Sequence, residues 1–451
     1  MKKLSVFQIT LLAVFGALAV GAVLIFSLAI GGGTTNTIGA VKIWGTLDGT
    51  AFATVIRAAA DTNPSLSQVT YVQKDPATFD ADLTKALASG TGPDLVLLRQ
   101  DYAVKDSGEI AVIPTTLLSQ SQFESTFIPA ADPFFSQNGA LGIPVLADPL
   151  VLYWNKDLLA SAGATLPPSY WDELFSLAQK MVVKDSTGNI TQSAIAFGEY
   201  KNVDNAKDIL ATLMLQAGNP ITTYDTTGHL VSSLVSKTGN GSQASESALR
   251  FYTEFADPSK DDYSWSRALP DAQQSFASGA LGLYVGYASE ASAISRANPN
   301  LNFAVAPLPQ IRSAPLTLTN ARVYALVAAR SGVNPSAAIT AAAALATTAN
   351  SQALSQALGI PSARRDVLAA ASQKQIPGQL VSATDICKGV DPVICSAQIS
   401  HSWADPDPDA TNGIFQSMIE DTTSGAQLLT AALQRADAQL AQLMSSQQPQ
   451  Q

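Results

Sequence analysis

Residues 142–163 of the chain read GIPVLADPLVLYWNKDLLASAG. Pro144 and Pro149 bracket a short apolar stretch that carries one acidic residue, Asp148, and an apolar run follows before the polar residues 155–157. Each proline holds φ near about −65° and has no amide hydrogen to donate. The segment is therefore predicted to be an extended connector that does not continue a sheet. The question it raises is why an apolar connector carries a carboxylate.

Upstream of this segment, apolar strands alternate with amphipathic helices. Strands are predicted at 41–44, 69–73 and 94–98, and helices at 51–60 and 79–88, where apolar residues recur at helical spacing. Alternation of this kind indicates an α/β fold with a parallel sheet covered by helices.

Two loops follow the first and third of these strands, and each carries an aspartate, Asp48 in 44–49 and Asp101 in 99–102. Ligands of such sheets bind outside the carboxyl ends of the strands. Both carboxylates are therefore candidate ligand contacts.

The chain becomes more helical after residue 155. Further helices are predicted from about residue 169, at 205–217, 243–255, 337–349 and within 411–443, with further strands at 281–285 and 303–306.

The composition argues against several functions. The 451 residues include 26 Lys and Arg against 36 Asp and Glu, a formal charge of −10, which disfavours a polyanionic partner such as nucleic acid. With two histidines, His229 and His401, and no nucleophile-elbow, phosphate-loop or metal-cluster motif, conventional enzyme chemistry and a metal or other cofactor are not expected. A pair of carboxylates that hydrolyses glycosides stays open as an alternative.

The N-terminus predicts a membrane segment. Residues 1–8 include Lys2 and Lys3 and are expected in the cytoplasm, while 9–30 are long and apolar enough to span a bilayer. A cleaved signal peptide is the alternative, since Ser27-Leu28-Ala29 resembles a cleavage site. Residues 31–39 then form a linker, the globular part lies outside the membrane, and 444–451 form a disordered tail.

The chain has two cysteines, Cys387 and Cys395, eight residues apart with Gly389 and Pro392 between them. In an oxidising compartment this pattern predicts a disulfide, and two free buried thiols are the alternative.

Three stretches resemble the family 1 extracellular solute-binding proteins, the sugar-binding receptors of ABC importers. They are residues 142–163 with LPPSYWDEL at 166–174, PDAQQSFASGALGLYVGYAS at 270–289, and ALSQALGIPSARRDVL at 353–368. The resemblance covers about residues 40–435. It implies a two-lobed periplasmic-binding-protein-like fold of type II, in which a solute is held between lobes joined by a hinge.

The resemblance also implies how the chain is divided between the lobes. Residues 40–146 and 303–340 are expected in the N-lobe, and 147–302 and 341–443 in the C-lobe. Residues 142–163 then cross between the lobes at the floor of the cleft, with Asp148 directed at the solute, and 303–309 form the returning connector.

Candidate solute contacts follow from matching the family's loops. They are Trp44, Asp48, Asp101, Asp148, Tyr287, Arg322 and Trp403, with Asn320, Glu199 and Tyr200 as further candidates. Leu98 stands where the family has a stacking tryptophan. For each residue a structural role, as a turn, cap or core residue, is the alternative. A solute other than a sugar, such as a peptide, an anion or a polyamine, stays open as an alternative. Among these an anionic solute is less favoured, because three candidates are acidic.

The expected function is that of a membrane-anchored receptor that captures a sugar or oligosaccharide and presents it to an ABC permease. A surface-anchored glycoside hydrolase and a non-transport sensory or structural protein on the same fold are the alternatives.

Overall fold

The computed structural model describes residues 38–235, 241–312, 316–373, 387 and 389–447. The strands are β1 (Val41–Gly45), β2 (Val69–Gln73), β3 (Leu95–Arg99), β4 (Phe135–Ser136), β5 (Gly139–Ala140), β6 (Ile143–Asn155), β7 (Val183–Lys184), β8 (Ile190–Ile195), β9 (Thr222–Tyr224), β10 (Leu230–Ser232), β11 (Leu281–Tyr287), β12 (Phe303–Ala306), β13 (Thr319–Ala328) and β14 (Ser400–His401). The helices are α1 (Gly49–Thr62), α2 (Phe79–Ala88), α3 (Gln120–Thr126), α4 (Lys156–Ser161), α5 (Glu173–Met181), α6 (Ala206–Gln216), α7 (Gly241–Glu254), α8 (Ala272–Ala277), α9 (Ala291–Ala297), α10 (Pro335–Leu345), α11 (Thr348–Leu358), α12 (Arg365–Ser372), α13 (Pro392–Gln398), α14 (Pro408–Thr423) and α15 (Leu429–Gln447).

One continuous mixed sheet runs through the molecule in the order β2-β1-β3-β13-β6-β11-β8-β7, with β12 also paired to β6 and β14 to β13. Strand β1 pairs in parallel with both β2 and β3. The predicted α/β class and the parallel arrangement of the first three strands are therefore confirmed, and β13 and β6 add antiparallel pairs to them.

The long strand β6 joins the two halves of this sheet. All thirteen of its residues are buried. Its first part pairs with β13 as far as Pro149, opposite Ala321, and its second part pairs with β11 from Leu150, opposite Tyr287. The segment quoted above therefore crosses the molecule, as predicted.

The prediction that this segment leaves the sheet is wrong. Pro144 lies beside a register shift, where Val145 has no directly opposite residue on β13 and its carbonyl accepts a hydrogen bond from the amide of Ala363 (3.1 Å). Pro149 lies where β6 changes partners. Because the ladder is interrupted at both points, neither proline removes a hydrogen bond that the sheet requires.

Two hydrophobic cores flank the crossing. The first includes Phe52, Leu97 and Leu326, and the second includes Tyr153, Phe276 and Phe415. We call the residues around the first core the first lobe and those around the second core the second lobe.

The lobe boundaries differ from the predicted ones. Phe303 packs against the second core and β12 pairs with the end of β6, so this segment is not the returning connector. Leu345 and Leu368 lie in the first core rather than the second. An alanine-rich helix such as α10 has no distinctive face, and its sequence therefore does not specify which lobe it covers.

The C-terminal helix is longer than predicted. Helix α15 continues to Gln447, and Met444, which was assigned to a disordered tail, is buried in the second core. Within the described ranges, no helix combines the length and apolar character of a membrane span. The predicted span at 9–30 and its cytoplasmic flank lie outside the described residues, as does most of the predicted linker.

Candidate functional site

A cleft of about 390 Å³ lies between the two lobes. The first lobe contributes side chains from the end of β3 and from β13, and the second lobe contributes residues before and within α6 and at the start of α14. The lining residues are Arg99, Asp101, Tyr102 and Arg322 from the first lobe, and Tyr200, Lys201, Val203, Asp204, Asn205, Ala206, Lys207, Asp208, Pro408 and Asn412 from the second.

The end of β3 presents an ion pair to the cleft. The Nε of Arg99 donates to Oδ1 of Asp101 (3.0 Å), and Nη2 of the same guanidinium contacts Oδ2. Burial opposes the charge of Asp101, but the adjacent guanidinium outweighs it and holds the pKa of this carboxyl below its usual value. Both oxygens of Asp101 are thus already engaged.

Arg322 extends from β13 across the boundary between the lobes. Its guanidinium lies 3.7 Å from the ring centroid of Tyr287, at the end of β11, and its Nη2 lies 3.7 Å from Oδ2 of Asp208 on α6. The hydroxyl of Tyr287 donates to the same Oδ2 at 2.7 Å, and burial raises its pKa well above the usual value. These three residues connect the first lobe to two elements of the second.

A buried ion pair supports the second-lobe wall. The ammonium of Lys207 contacts Oδ2 of Asp405 at 2.9 Å and Oγ1 of Thr411 at 3.2 Å. Burial opposes the charge of Lys207, but Asp405, with Asp208 and Asp101 farther away, raises the pKa of the ammonium. Lys207 therefore stays charged.

At the rim of the cleft, Lys105 of the first lobe contacts two carboxylates at the start of α14. Its Nζ lies 2.9 Å from Oδ2 of Asp409 and 3.8 Å from Oδ1 of Asp407, and 3.0 Å from Oδ2 of Asp80 in its own lobe. The hydroxyl of Tyr102 donates to Asp409 (3.4 Å). We call these five residues the rim clasp.

Among the residues proposed from the sequence, Asp101 and Arg322 line the cleft, as does Tyr200. Tyr287 lies directly behind Arg322 and is buried. These four residues come from both lobes, and the structure brings them together at one place.

Asp148 lies at the lobe boundary, where it is the backbone partner on β6 of Arg322 on β13. It is 2 % exposed, and its two oxygens accept hydrogen bonds from the amide (3.0 Å) and hydroxyl (2.6 Å) of Ser289. Burial raises its pKa to about 6 despite these bonds. The carboxylate therefore ties the crossing strand to the second lobe and is not directed into the cleft.

Besides Asp148 and Tyr287, three predicted contacts do not line the cleft. Asp48 caps α1, where its Oδ1 accepts from the amide of Ala51 at 2.7 Å. The Nζ of Lys74 covers the ring of Trp44 at 3.6 Å. Trp403 is buried in the second core, with its ring centroid 6.0 Å from that of Phe415. Each takes the structural role that its residue type allowed: a cap, a strand-end residue and a core residue.

Two of the further candidates are also placed elsewhere. Glu199 pairs with Arg267 (3.2 Å) away from the cleft lining. Asn320 is buried on β13 beside β14.

Sequence reasoning missed Arg99, Lys207 and Asp208. Arg99 ends the apolar strand LVLLR, and Lys207 and Asp208 are adjacent charges at the start of an otherwise apolar helix. A charge at the end of a buried element was the available signal in each case.

The predicted disulfide is present: Cys387 and Cys395 are bonded, with their Cα atoms 5.6 Å apart. Its second cysteine lies on α13, next to the first core.

A family model described as bacterial extracellular solute-binding protein matches residues 57–378, more than half of the chain. Binding proteins of Brucella abortus (strain 2308) and Brucella suis (biovar 1, strain 1330) are each 25 % identical over 233 residues, which cover 50 % of this chain. The match spans about half (52 %) of the length of these curated relatives.

Solved structures are similar over most of the chain. The maltotriose-binding protein of Thermus thermophilus, bound with maltotriose, has a TM-score of 0.62 at 17 % identity and covers 89 % of this chain and 99 % of its own. A cyclo/maltodextrin-binding protein complexed with maltotetraose has a TM-score of 0.68 at 16 % identity, with coverages of 91 % and 98 %. The sugar-binding protein MalE of Xanthomonas citri has a TM-score of 0.67 at 16 % identity, with coverages of 90 % and 98 %. At these identities the likeness establishes the two-lobed fold.

Proposed function

The chain belongs to the bacterial extracellular solute-binding proteins, and from that premise we propose that it captures a sugar or oligosaccharide between its lobes for an ABC importer. The observation that carries the proposal is the cleft lined from both lobes, at which Arg322, Tyr287 and Asp208 meet. A solute in this position contacts both lobes at once.

The chemistry of the cleft suits a polar, hydroxyl-rich solute. Its volume, about 390 Å³, falls within the range of small-molecule sites, about 300–1,000 Å³. Guanidinium, amide and carboxylate groups from Arg322, Asn412 and Asp208 supply donors and acceptors for hydroxyls, and the half-buried ring of Tyr200 supplies an apolar face.

Binding is coupled to closure of the lobes in this proposal. Strand β6 joins the lobes and pairs with β13, whose Arg322 lines the cleft, and the rim clasp is a second contact between the lobes. A solute that contacts both walls has a higher affinity for the closed arrangement than for the open one. It shifts the equilibrium only by that difference in affinity.

The remaining parts of the proposal concern location and partners. Residues 9–30 anchor the chain in the membrane with the globular part outside the cytoplasm, and an ABC permease receives the solute. The protein itself makes and breaks no covalent bond, since its task is recognition.

The test is a carbohydrate panel measured by calorimetry and thermal shift on the full chain. We expect at least one mono- or oligosaccharide to stabilise the protein, by about 2.7 kcal/mol at a hundredfold excess over Kd. Tyr200→Leu should weaken this binding, whereas Tyr224→Leu, at a residue 52 % exposed outside the cleft lining, should not. The proposal fails if neither neutral nor acidic sugars bind, or if aryl glycosides are hydrolysed.

A further inference from the structure

The acidic side chains that argued against an anionic solute are already occupied. Asp48 caps a helix, both oxygens of Asp101 contact Arg99, and both oxygens of Asp148 accept from Ser289. None of the three presents a free carboxylate to the cleft. Two other acidic residues line it: Oδ2 of Asp204 accepts from the amide of Gln273 (2.9 Å), and Oδ2 of Asp208 accepts from the hydroxyl of Tyr287 (2.7 Å).

The guanidinium of Arg322 has the opposite character. Among the described residues it makes no hydrogen bond; its contacts are the ring of Tyr287 and the 3.7 Å ion pair with Asp208. An arginine has five N–H donors in one plane. Because the ring of Tyr287 covers a face of that plane, the donors along its edge stay available, with the side chain 30 % exposed to the cleft.

The other cations of the cleft divide into occupied and available groups. Lys207 is held by Asp405 and Thr411, and Arg99 by Asp101. Lys201 lines the cleft and is exposed, and no ion pair joins it to another described residue. The available charged donors, on Arg322 and Lys201, therefore come from opposite lobes.

We infer that the solute carries a carboxylate, as an acidic sugar or an oligosaccharide containing one, and that Arg322 binds this group through two parallel N–H donors. A carboxylate matches the planar edge of a guanidinium, whereas a neutral hydroxyl accepts fewer of its donors. This inference rests on the proposed function and specifies its solute class. Arg322 is in this sense the residue that determines specificity.

The experiment compares matched sugars on the full chain: galacturonate and glucuronate, with their short oligomers, against galactose and glucose oligomers of equal length. We expect the acidic sugars to bind about 10- to 100-fold more tightly, and this preference to shrink between 50 and 500 mM salt. Arg322→Gln should abolish the preference, and Arg322→Lys should restore part of it because it keeps the charge but not the fork.

Arg312→Gln is the matched control, because Arg312 also lies over a tyrosine, Tyr170 (4.0 Å), and pairs with carboxylates, but does not line the cleft. It should leave the preference unchanged. Circular dichroism of each variant confirms the fold.

The possible failures are distinguishable. Equal binding of neutral and acidic sugars, or an acid preference that survives Arg322→Gln, overturns the inference and leaves the proposed function standing. If only simple non-sugar carboxylates bind, the role of Arg322 in binding a carboxylate is supported, but the assignment of the solute as a sugar is overturned. Binding of neither class of sugar and of no carboxylate overturns both proposals.

Discussion

The rim clasp should hold the lobes together, and its contribution is measurable by replacing Lys105 with Met. This change keeps the length of the side chain and removes the charge that contacts Asp409 (2.9 Å) and Asp407 (3.8 Å) of the opposite lobe. Partly exposed ion pairs contribute about 0.2–1 kcal/mol each. Two such contacts, one of them long, therefore stabilise the closed arrangement by about 0.5–1.5 kcal/mol.

This free energy converts to roughly a 2- to 10-fold smaller closed-to-open ratio. We expect Lys105→Met to weaken solute binding by about that factor and to raise the radius of gyration in small-angle scattering. High salt should weaken solute binding by the wild type until its affinity approaches that of the variant, because exposed ion pairs are screened.

Two controls identify the contact that matters. Asp80 pairs with Lys105 within the first lobe, so Asp80→Asn should not weaken binding, whereas Asp409→Asn should. In a double-mutant cycle, Lys105→Met and Asp409→Asn should be non-additive. Full additivity, or an equal loss from Asp80→Asn, would refute the assignment of Lys105 as a contact that holds the lobes together.

Three further predictions concern stability. Asp405→Asn leaves the buried ammonium of Lys207 without its carboxylate and should lower the free energy of unfolding in urea by about 3–5 kcal/mol. The apolar double variant Lys207→Met/Asp405→Leu should lose less, and an equal loss would contradict this prediction. Replacing Cys387 and Cys395 with serine opens a loop with a sequence separation of 8 and should lower the free energy of unfolding by about 2.5 kcal/mol. A reductant should lower the Tm of the wild type but not that of this variant. Asp148 has a pKa of about 6 in the folded protein against about 3.9 unfolded, so the folded state binds more protons between these values, and the free energy of unfolding should fall as pH rises from 4 to 6. Asp148→Asn should reduce this slope in denaturant titrations at successive pH values, and an unchanged slope would assign it to other groups.

Most elements near the N-terminus were predictable because their patterns are local. The strands β1 to β3 and helices α1 and α2 begin and end within a few residues of their predicted limits, since the alternation of apolar residues depends only on neighbours in the chain. The crossing at residues 142–163 was implied by the resemblance to the family, whereas the local pattern of prolines predicted that the segment leaves the sheet, which it does not.

The candidate site was predictable only in part. Asp101 and Arg322 line the cleft, but Asp48 follows the same pattern as Asp101, an aspartate after a strand, and caps a helix instead. The difference is the neighbour that each carboxylate meets: the backbone amide of Ala51 for Asp48, and the guanidinium of Arg99 for Asp101. Local sequence does not distinguish these outcomes, because a short polar side chain suits both.

By itself, the amino-acid sequence determined the class of fold, the first three strands with the two helices between them, and the cysteine pair, because each of these follows from periodicity or spacing along the chain. The crossing of residues 142–163 between the lobes was implied by the resemblance to the family. Only the tertiary structure decided which lobe the alanine-rich helix covers, which acidic residues are occupied, and that Arg322, Tyr287 and Asp208, from three separate parts of the chain, meet at one place. The physical reason is that burial and pairing depend on neighbours distant in sequence, and those neighbours are brought together only when the sheet forms.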